Sequence, residues 1–164
     1  SISNVLEETT IDFVNGKIIL DGDDVSDIIR TQEISKFASI YSQIPEVRSK
    51  LVDIQRRIAA GKSVIMDGRD IGTNVLTDAE LKVFLTADSL VRARRRYEEL
   101  RSKGVNANLD DIHEEIKDRD YQDMHRKLNP LVQAEDAIRL DTSDMTIDEV
   151  VNTIVAMAAR VSCN

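Results

Sequence analysis

Val64-Ile65-Met66-Asp67-Gly68-Arg69-Asp70-Ile71-Gly72-Thr73 passes from three apolar residues straight into an arginine, an aspartate and two glycines. A short apolar run bounded by turn residues is what a buried parallel strand looks like, and a second one follows at Val83-Phe84-Leu85 with a helical pattern behind it. In an open α/β sheet the carboxyl end of such a strand is where ligands sit. Arg69 and Asp70 are therefore candidate ligand-binding residues. The plainer alternative is a polar turn that uses its glycines for positive φ and leaves Arg69 and Asp70 in solvent.

Upstream, Thr10–Val14 and Lys17–Leu20 are short β-rich runs separated by Asn15-Gly16, a strong short-range hairpin signal. Ile28, Ile29, Ile34, Phe37, Ala38 and Tyr41 predict a helical stretch that ends before Pro45. Pro45 opens another helix, with Val47, Leu51, Ile54 and Ile58 on one face and a stop at Gly61. Downstream, Ala137–Leu140 is a further candidate strand. The last helix starts at Thr146 and Glu149, which stand in capping-box spacing. Strands alternating with helices predict an α/β fold with a parallel sheet and flanking helices, preceded by a small antiparallel-β plus helix piece. The boundary falls near Gly61, giving regions 1–61 and 62–164.

Composition narrows the function. The 164 residues are 41% hydrophobic and 32% charged, as in an ordinary globular domain, and no apolar run approaches the roughly 20 residues of a membrane span. Lys and Arg number 22 against 30 Asp and Glu, and a net charge of -8 makes nucleic acid an unfavourable partner. The single cysteine, Cys163, allows no internal disulfide, so a reducing cytoplasm is the expected compartment.

Two further groups of residues carry charge in a pattern. Arg119, Asp123 and Arg126 stand at i, i+4 and i+7, which sets two guanidinium groups and a carboxylate on one helical face; such a face grips phosphate, or forms an ordinary surface ion-pair ladder. Arg92, Arg94, Arg95 and Arg96 follow the strand Val83–Leu85. Arg94 and Arg95 have Glu98 and Glu99 four residues on and read as helix-stabilising pairs, whereas Arg92 and Arg96 lack such a partner. In an acidic chain a small polyphosphate suits this cluster better than nucleic acid. His113 and His125 have no metal-ligand spacing and read as surface residues; no metal site is expected. No nucleophile elbow, zinc helix or Cys pair is present, which leaves acyl transfer, zinc hydrolysis and thiol chemistry without support.

Taken in order, Ile44-Pro45-Glu46-Val47-Arg48, Met66-Asp67-Gly68-Arg69-Asp70-Ile71-Gly72-Thr73, Arg92-Ala93-Arg94-Arg95-Arg96, Ile116-Lys117-Asp118-Arg119-Asp120 and Ala134-Glu135-Asp136-Ala137-Ile138 resemble the bacterial cytidylate kinases, in register from about Ile11 to Val161. The resemblance implies a P-loop nucleoside monophosphate kinase core, transfer of the γ-phosphoryl group of ATP to CMP or dCMP, and Mg²⁺. It makes 1–61 the CMP-binding insert region and places lid helices at about 89–128. It implies that Ser39, Arg48 and Asp70 hold the cytosine, Arg119 and Asp123 the ribose, and Arg69 and Arg126 the acceptor phosphate. Arg92 and Arg95 would close over the ATP phosphates, so that Arg69, Arg126, Arg92 and Arg95 are the implied catalytic arginines.

In the family the first strand and the Gly-rich Gly-Lys-Ser phosphate loop precede the segment that this chain resembles, and the chain opens at Ser1 without a Met. The chain is thus expected to be an N-terminally truncated kinase. It is expected to be inactive by itself and prone to self-association, the parent being a monomer. The alternatives are a non-catalytic CMP-binding or interaction module, and another P-loop kinase of small metabolites.

Overall fold

Asn15 and Gly16 take φ values of 51° and 78°, the left-handed pair that a tight two-residue hairpin requires. The turn fixes the register. Strand β1 (Ile11–Val14) pairs antiparallel with β2 (Lys17–Leu20), Val14 opposite Lys17 and Ile11 opposite Leu20. A second left-handed pair, Asp21 and Gly22, reverses the chain again and adds the two-residue β3 (Asp23–Asp24).

The computed structural model describes residues 1–161, in two compact units that divide between Asp67 and Gly68. Cys163 lies outside the described residues. The first unit holds the three-stranded antiparallel sheet and three helices: α1 (Ile2–Glu8), α2 (Gln32–Tyr41) and α3 (Pro45–Ala59). Helix α1 has no counterpart in the sequence reading; the Ser1 hydroxyl accepts from the Asn4 amide and caps it. The predicted stretch from Ile28 to Tyr41 is divided. A 3₁₀ turn covers Ile28–Arg30, and Thr31 then takes an extended backbone whose hydroxyl accepts from the Ile34 amide to start α2. A Thr side chain that caps the next helix competes with continuation of the one before. Helix α3 begins on Pro45 and buries Arg48, Val52 and Ile54. It stops ahead of Gly61, which takes φ 71°.

The second unit pairs β4 (Val83–Thr86) with β5 (Ile138–Asp141) in parallel, Val83 opposite Ile138 and Thr86 opposite Asp141. Between them run α4 (Ser89–Ser102), capped by Asp88, and α5 (Leu109–His125), capped by Asn108. The two helices pack together with Ala93 and Ile112 buried. Helix α6 (Ile147–Val161) starts in the predicted capping box: the Thr146 amide donates to the Glu149 carboxylate at 2.7 Å and the Glu149 amide returns to the Thr146 hydroxyl at 3.3 Å.

Val64–Met66, expected as a parallel strand, forms no ladder, and Ile65 is fully exposed. Apolar residues alone do not make a strand, because each extended backbone needs a neighbour to take its N–H and C=O groups. Among the described residues β4 and β5 pair only with each other, and the parallel sheet is two strands wide. The molecule is thus mixed α/β, with one parallel pair and one antiparallel sheet. No helix among the described residues is long and apolar enough to cross a membrane.

Candidate functional site

The glycines of Asp67-Gly68-Arg69-Asp70-Ile71-Gly72-Thr73 are there for space, since neither Gly68 nor Gly72 takes positive φ. A Cβ on Gly68 would stand 2.8 Å from Ile71 Cγ1, and one on Gly72 would press on the Lys82 stem, with Cδ at 3.3 Å. Lys82 is itself pinned. Its Nζ donates to the Thr77 carbonyl at 2.6 Å and to Asp136 Oδ2 at 2.7 Å, which ties the end of this loop to the approach to β5. The hydrogen bond from Lys82 holds the Asp136 carboxyl below its ordinary value.

Beyond Asp70 the chain makes one wide π turn over Ile71–Val75. The Asp70 carbonyl accepts from both the Asn74 amide at 2.9 Å and the Val75 amide at 3.3 Å, and the Leu76 amide reaches the Ile71 carbonyl at 2.7 Å. Val75 is buried and anchors the turn. The turn returns Asn74 to Asp70, whose Oδ2 accepts from Asn74 Nδ2 at 3.0 Å.

Helix α5 brings the other half of the site. Asp123 Oδ2 accepts from Arg69 Nε at 2.7 Å; Asp123 Oδ1 lies 3.8 Å from Arg126 Nη1. Arg126 Nη2 donates to Asp70 Oδ1 at 3.3 Å, and its Nε donates to the Asn129 carbonyl at 2.8 Å. Four charges therefore alternate in a row: Arg69, Asp123, Arg126, Asp70. Asp70 and Asp123 are each 8% exposed and the Arg126 side chain 9%, whereas Arg69 is 42% exposed. Charges buried to this degree persist only when paired and hydrogen-bonded, so three of the four are committed to one another and Arg69 is the solvent-facing end. The expected face of Arg119, Asp123 and Arg126 is no solvated ladder at its Asp123–Arg126 end, while Arg119 stays exposed one turn earlier.

The arginines of α4 divide between two partners. Arg92 Nη1 and Nη2 meet Asp120 Oδ1 and Oδ2 at 3.0 and 2.5 Å, and its Nε donates to the Ala87 carbonyl at 3.0 Å. The hydrogen bonds with Asp120 raise the Arg92 pKa further. Arg95 does not pair with Glu99 as its spacing predicted. It donates instead to the buried Thr142, at both carbonyl and hydroxyl, and to the Met145 carbonyl at 3.1 Å. Acceptors just beyond β5 outcompete a solvated carboxylate, and Glu99 takes Lys103 at 2.6 Å. Among the described residues Arg94 and Glu98 form no ion pair with each other either, and Arg96 reaches Glu99 only at 4.0 Å. His113 is half-buried, a correction to its reading as a surface residue: its Nε2 lies 2.9 Å from the Ser89 hydroxyl and bridges α4 and α5. His125 is exposed and stacks on Tyr121.

Ser39 and Arg48 belong to the first unit. Ser39 is half-buried on α2, its carbonyl accepting from the Ser42 hydroxyl at 3.0 Å; Arg48 is buried on α3 with Nη1 3.5 Å from the Ser42 carbonyl. Arg69, Asp70, Asp123 and Arg126 are thus the predicted residues that the second unit gathers. Asn74, Lys82, Asp120 and Thr142 are partners that the sequence reading did not single out. Asp120 sits beside Arg119, but its reach to Arg92 is set by the packing of two helices. Asn74 follows Asp70 at i+4, a spacing that carries meaning only once the loop is known to coil.

Comparison with known proteins gives a consistent picture. The family model described as cytidylate kinase matches residues 1–160. The cytidylate kinase of Lactobacillus johnsonii is 46% identical over 164 residues, covering 98% of this chain and 71% of that protein. Those of Caldanaerobacter subterraneus subsp. tengcongensis and Clostridium botulinum are 52% and 47% identical; they cover 93% and 98% of this chain, and 68% and 74% of their own lengths.

Proposed function

The chain belongs to the cytidylate kinase family, and on that premise we propose how its residues share the transfer of the γ-phosphoryl group of ATP to CMP. The reaction is a nucleoside monophosphate kinase reaction, giving CDP and ADP. The observation that carries the assignment is the row Arg69, Asp123, Arg126, Asp70, buried except at the solvent-facing Arg69, which sets donors and acceptors side by side where the chain leaves the Asp-Gly-Arg-Asp loop.

In this reading Asp70 accepts from the amino group of cytosine, with Ser39 and Arg48 as further base contacts. The uracil carbonyl at the same place would meet like partial charge. Asp123 and Arg119 bind the ribose, and the acceptor is CMP or dCMP. Arg69 and Arg126 hold the acceptor phosphate, whose oxygen must be aimed at the γ-phosphorus. The electrostatics support the division. The four-residue row is neutral and a phosphomonoester brings about two negative charges, so Arg69 and Arg126 meet the phosphate by releasing part of their hold on the two carboxylates. On arrival of the nucleotide, Arg69 exchanges part of its hold on Asp123 for phosphate, and Asp123 turns to the ribose hydroxyl groups.

Arg92 and Arg95 serve the ATP side from the lid helices, about 89–128, and region 1–61 serves as the CMP-binding insert of a P-loop kinase core. Residues 1–164 contain no Gly-x-x-x-x-Gly-Lys-Ser or -Thr run, so the backbone cradle of the donor phosphates is not among the groups they supply. Mg²⁺ belongs to the reading as a companion of the ATP phosphates. Among the described residues no group of three or more His, Cys, Asp or Glu side chains could hold it, and the roles given to these residues are binding, orientation and charge stabilisation. A cytoplasmic, monomeric parent enzyme completes the proposal. A polypeptide limited to these residues should self-associate, given exposed apolar side chains such as Ile65 and Leu85.

The test is ADP release by the intact enzyme with ATP and Mg²⁺ against CMP, dCMP, UMP, AMP and shikimate. Turnover with CMP and dCMP far above the others is expected. Turnover with shikimate or AMP in preference to CMP would point to another small-metabolite kinase, and CMP binding without turnover would point to a binding module.

A further inference from the structure

We infer that Asn74 is a positioning residue for base selectivity, acting through the Asp70 carboxylate. The inference rests on the reading of Asp70 as the acceptor of the cytosine amino group.

A carboxylate discriminates an amino group from a carbonyl only if its lone pairs stay aimed at the base, yet the terminal torsion of an aspartate is broad and turns easily. Here the two oxygens of Asp70 are held from different directions. Oδ2 accepts from Asn74 Nδ2 at 3.0 Å, and Oδ1 from Arg126 Nη2 at 3.3 Å. Donors on both oxygens fix the carboxylate plane, and an ionised carboxylate offers about four lone-pair sites. Of the two, the Asn74 bond is the shorter, and Arg126 is the residue proposed for the acceptor phosphate.

The backbone is built to hold Asn74 there. The π turn over Ile71–Val75 sends the Asn74 amide to the Asp70 carbonyl at 2.9 Å, so Asn74 is tied to Asp70 by main chain and side chain together. Wide turns of this kind are uncommon and concentrate at functional sites. Buried Val75 on one side, and Gly72 packed on the Lys82 stem on the other, keep the turn from unwinding. With Asp70 only 8% exposed, a neutral amide is the donor that orients it without adding a charge to the row.

The experiment compares Asn74→Leu, Asn74→Ser and Asp70→Asn with the unsubstituted intact enzyme, reading kcat/KM for CMP and for UMP with ATP, and melting temperature. Leu keeps the size of Asn and cannot donate; Ser is polar and too short to reach, and serves if Leu impairs folding. Both substitutions at Asn74 are expected to lower the CMP-to-UMP ratio about tenfold, the scale of one base-edge contact, mainly by lowering kcat/KM for CMP. An unchanged ratio at Asn74 with a collapsed ratio in Asp70→Asn overturns the role of Asn74 and leaves that of Asp70 standing. An unchanged ratio in all three overturns both. Equal losses for CMP and UMP at Asn74 reduce it to a fold-supporting residue, which also overturns the inference.

Discussion

Arg69 Nε donates to Asp123 Oδ2 at 2.7 Å, joining two residues 54 positions apart in the chain. Asp123 is the buried member and Arg69 the half-exposed one, so the pair is anchored at the carboxylate and faces solvent at the cation. Asp123→Ala is expected to act in two ways. It leaves buried Arg126 with less compensation, which lowers the melting temperature. It also removes the acceptor proposed for the ribose, so kcat/KM should fall more for CMP than for dCMP. Steady-state kinetics for both nucleotides, run well below the melting temperature, check this; equal losses would assign Asp123 to the 3′-hydroxyl.

Arg92 and Asp120 form a two-point pair between α4 and α5, with side chains 35% and 27% exposed. Partly exposed pairs contribute little to stability, so Arg92→Ala should cost less than about 1 kcal/mol in the fold. Its effect should appear on the donor side. If Arg92 exchanges Asp120 for ATP phosphates as the lid closes, KM for ATP rises about tenfold or more in Arg92→Ala while KM for CMP stays within about twofold. Equal increases for both substrates would mean that the pair only braces the two helices.

Acid should loosen the loop that carries Asp70. Hydrogen bonding from Lys82 depresses the Asp136 carboxyl from its ordinary value of 3.8. The stabilisation is therefore complete above that value and is lost as pH falls through the lower, folded-state value. Melting temperatures of the unsubstituted protein and of Asp136→Asn should differ at pH 7 and converge only once pH falls below the depressed, folded-state value of the Asp136 carboxyl. A difference that persists or widens in acid would contradict the pairing.

What the sequence reveals and what it conceals divide along physical lines. Asn15-Gly16, Pro45, Gly61 and the Thr146–Glu149 box encode local geometry, and the hairpin, α3 and the start of α6 follow from them directly. Val64–Met66 has strand composition, but a ladder depends on a neighbour that composition does not supply. Arg95 and Glu99 stand at pairing distance along a helix, yet Thr142, 47 residues away, offers a buried acceptor that spacing along one helix cannot show. Arg69, Asp70, Asp123 and Arg126 were legible as a group through the resemblance. The Asn74 contact was not, because it exists only in a π turn that no local signal marks.

Arg126 is the most buried cation of the α5 face proposed to grip CMP, with Asp70, Asp123 and the Asn129 carbonyl around it. Arg126→Lys keeps a positive charge opposite both carboxylates and removes the planar fork that suits a phosphate. The decisive measurement is kcat/KM for CMP at saturating ATP in the intact enzyme carrying Arg126→Lys, with the melting temperature recorded alongside. A fall of about tenfold or more, the scale of one charge-assisted contact, in a protein that melts within a few degrees of the unsubstituted one is the predicted result. An unchanged kcat/KM in a well-folded Arg126→Lys enzyme would contradict phosphate binding by Arg126 and return this face to a structural role.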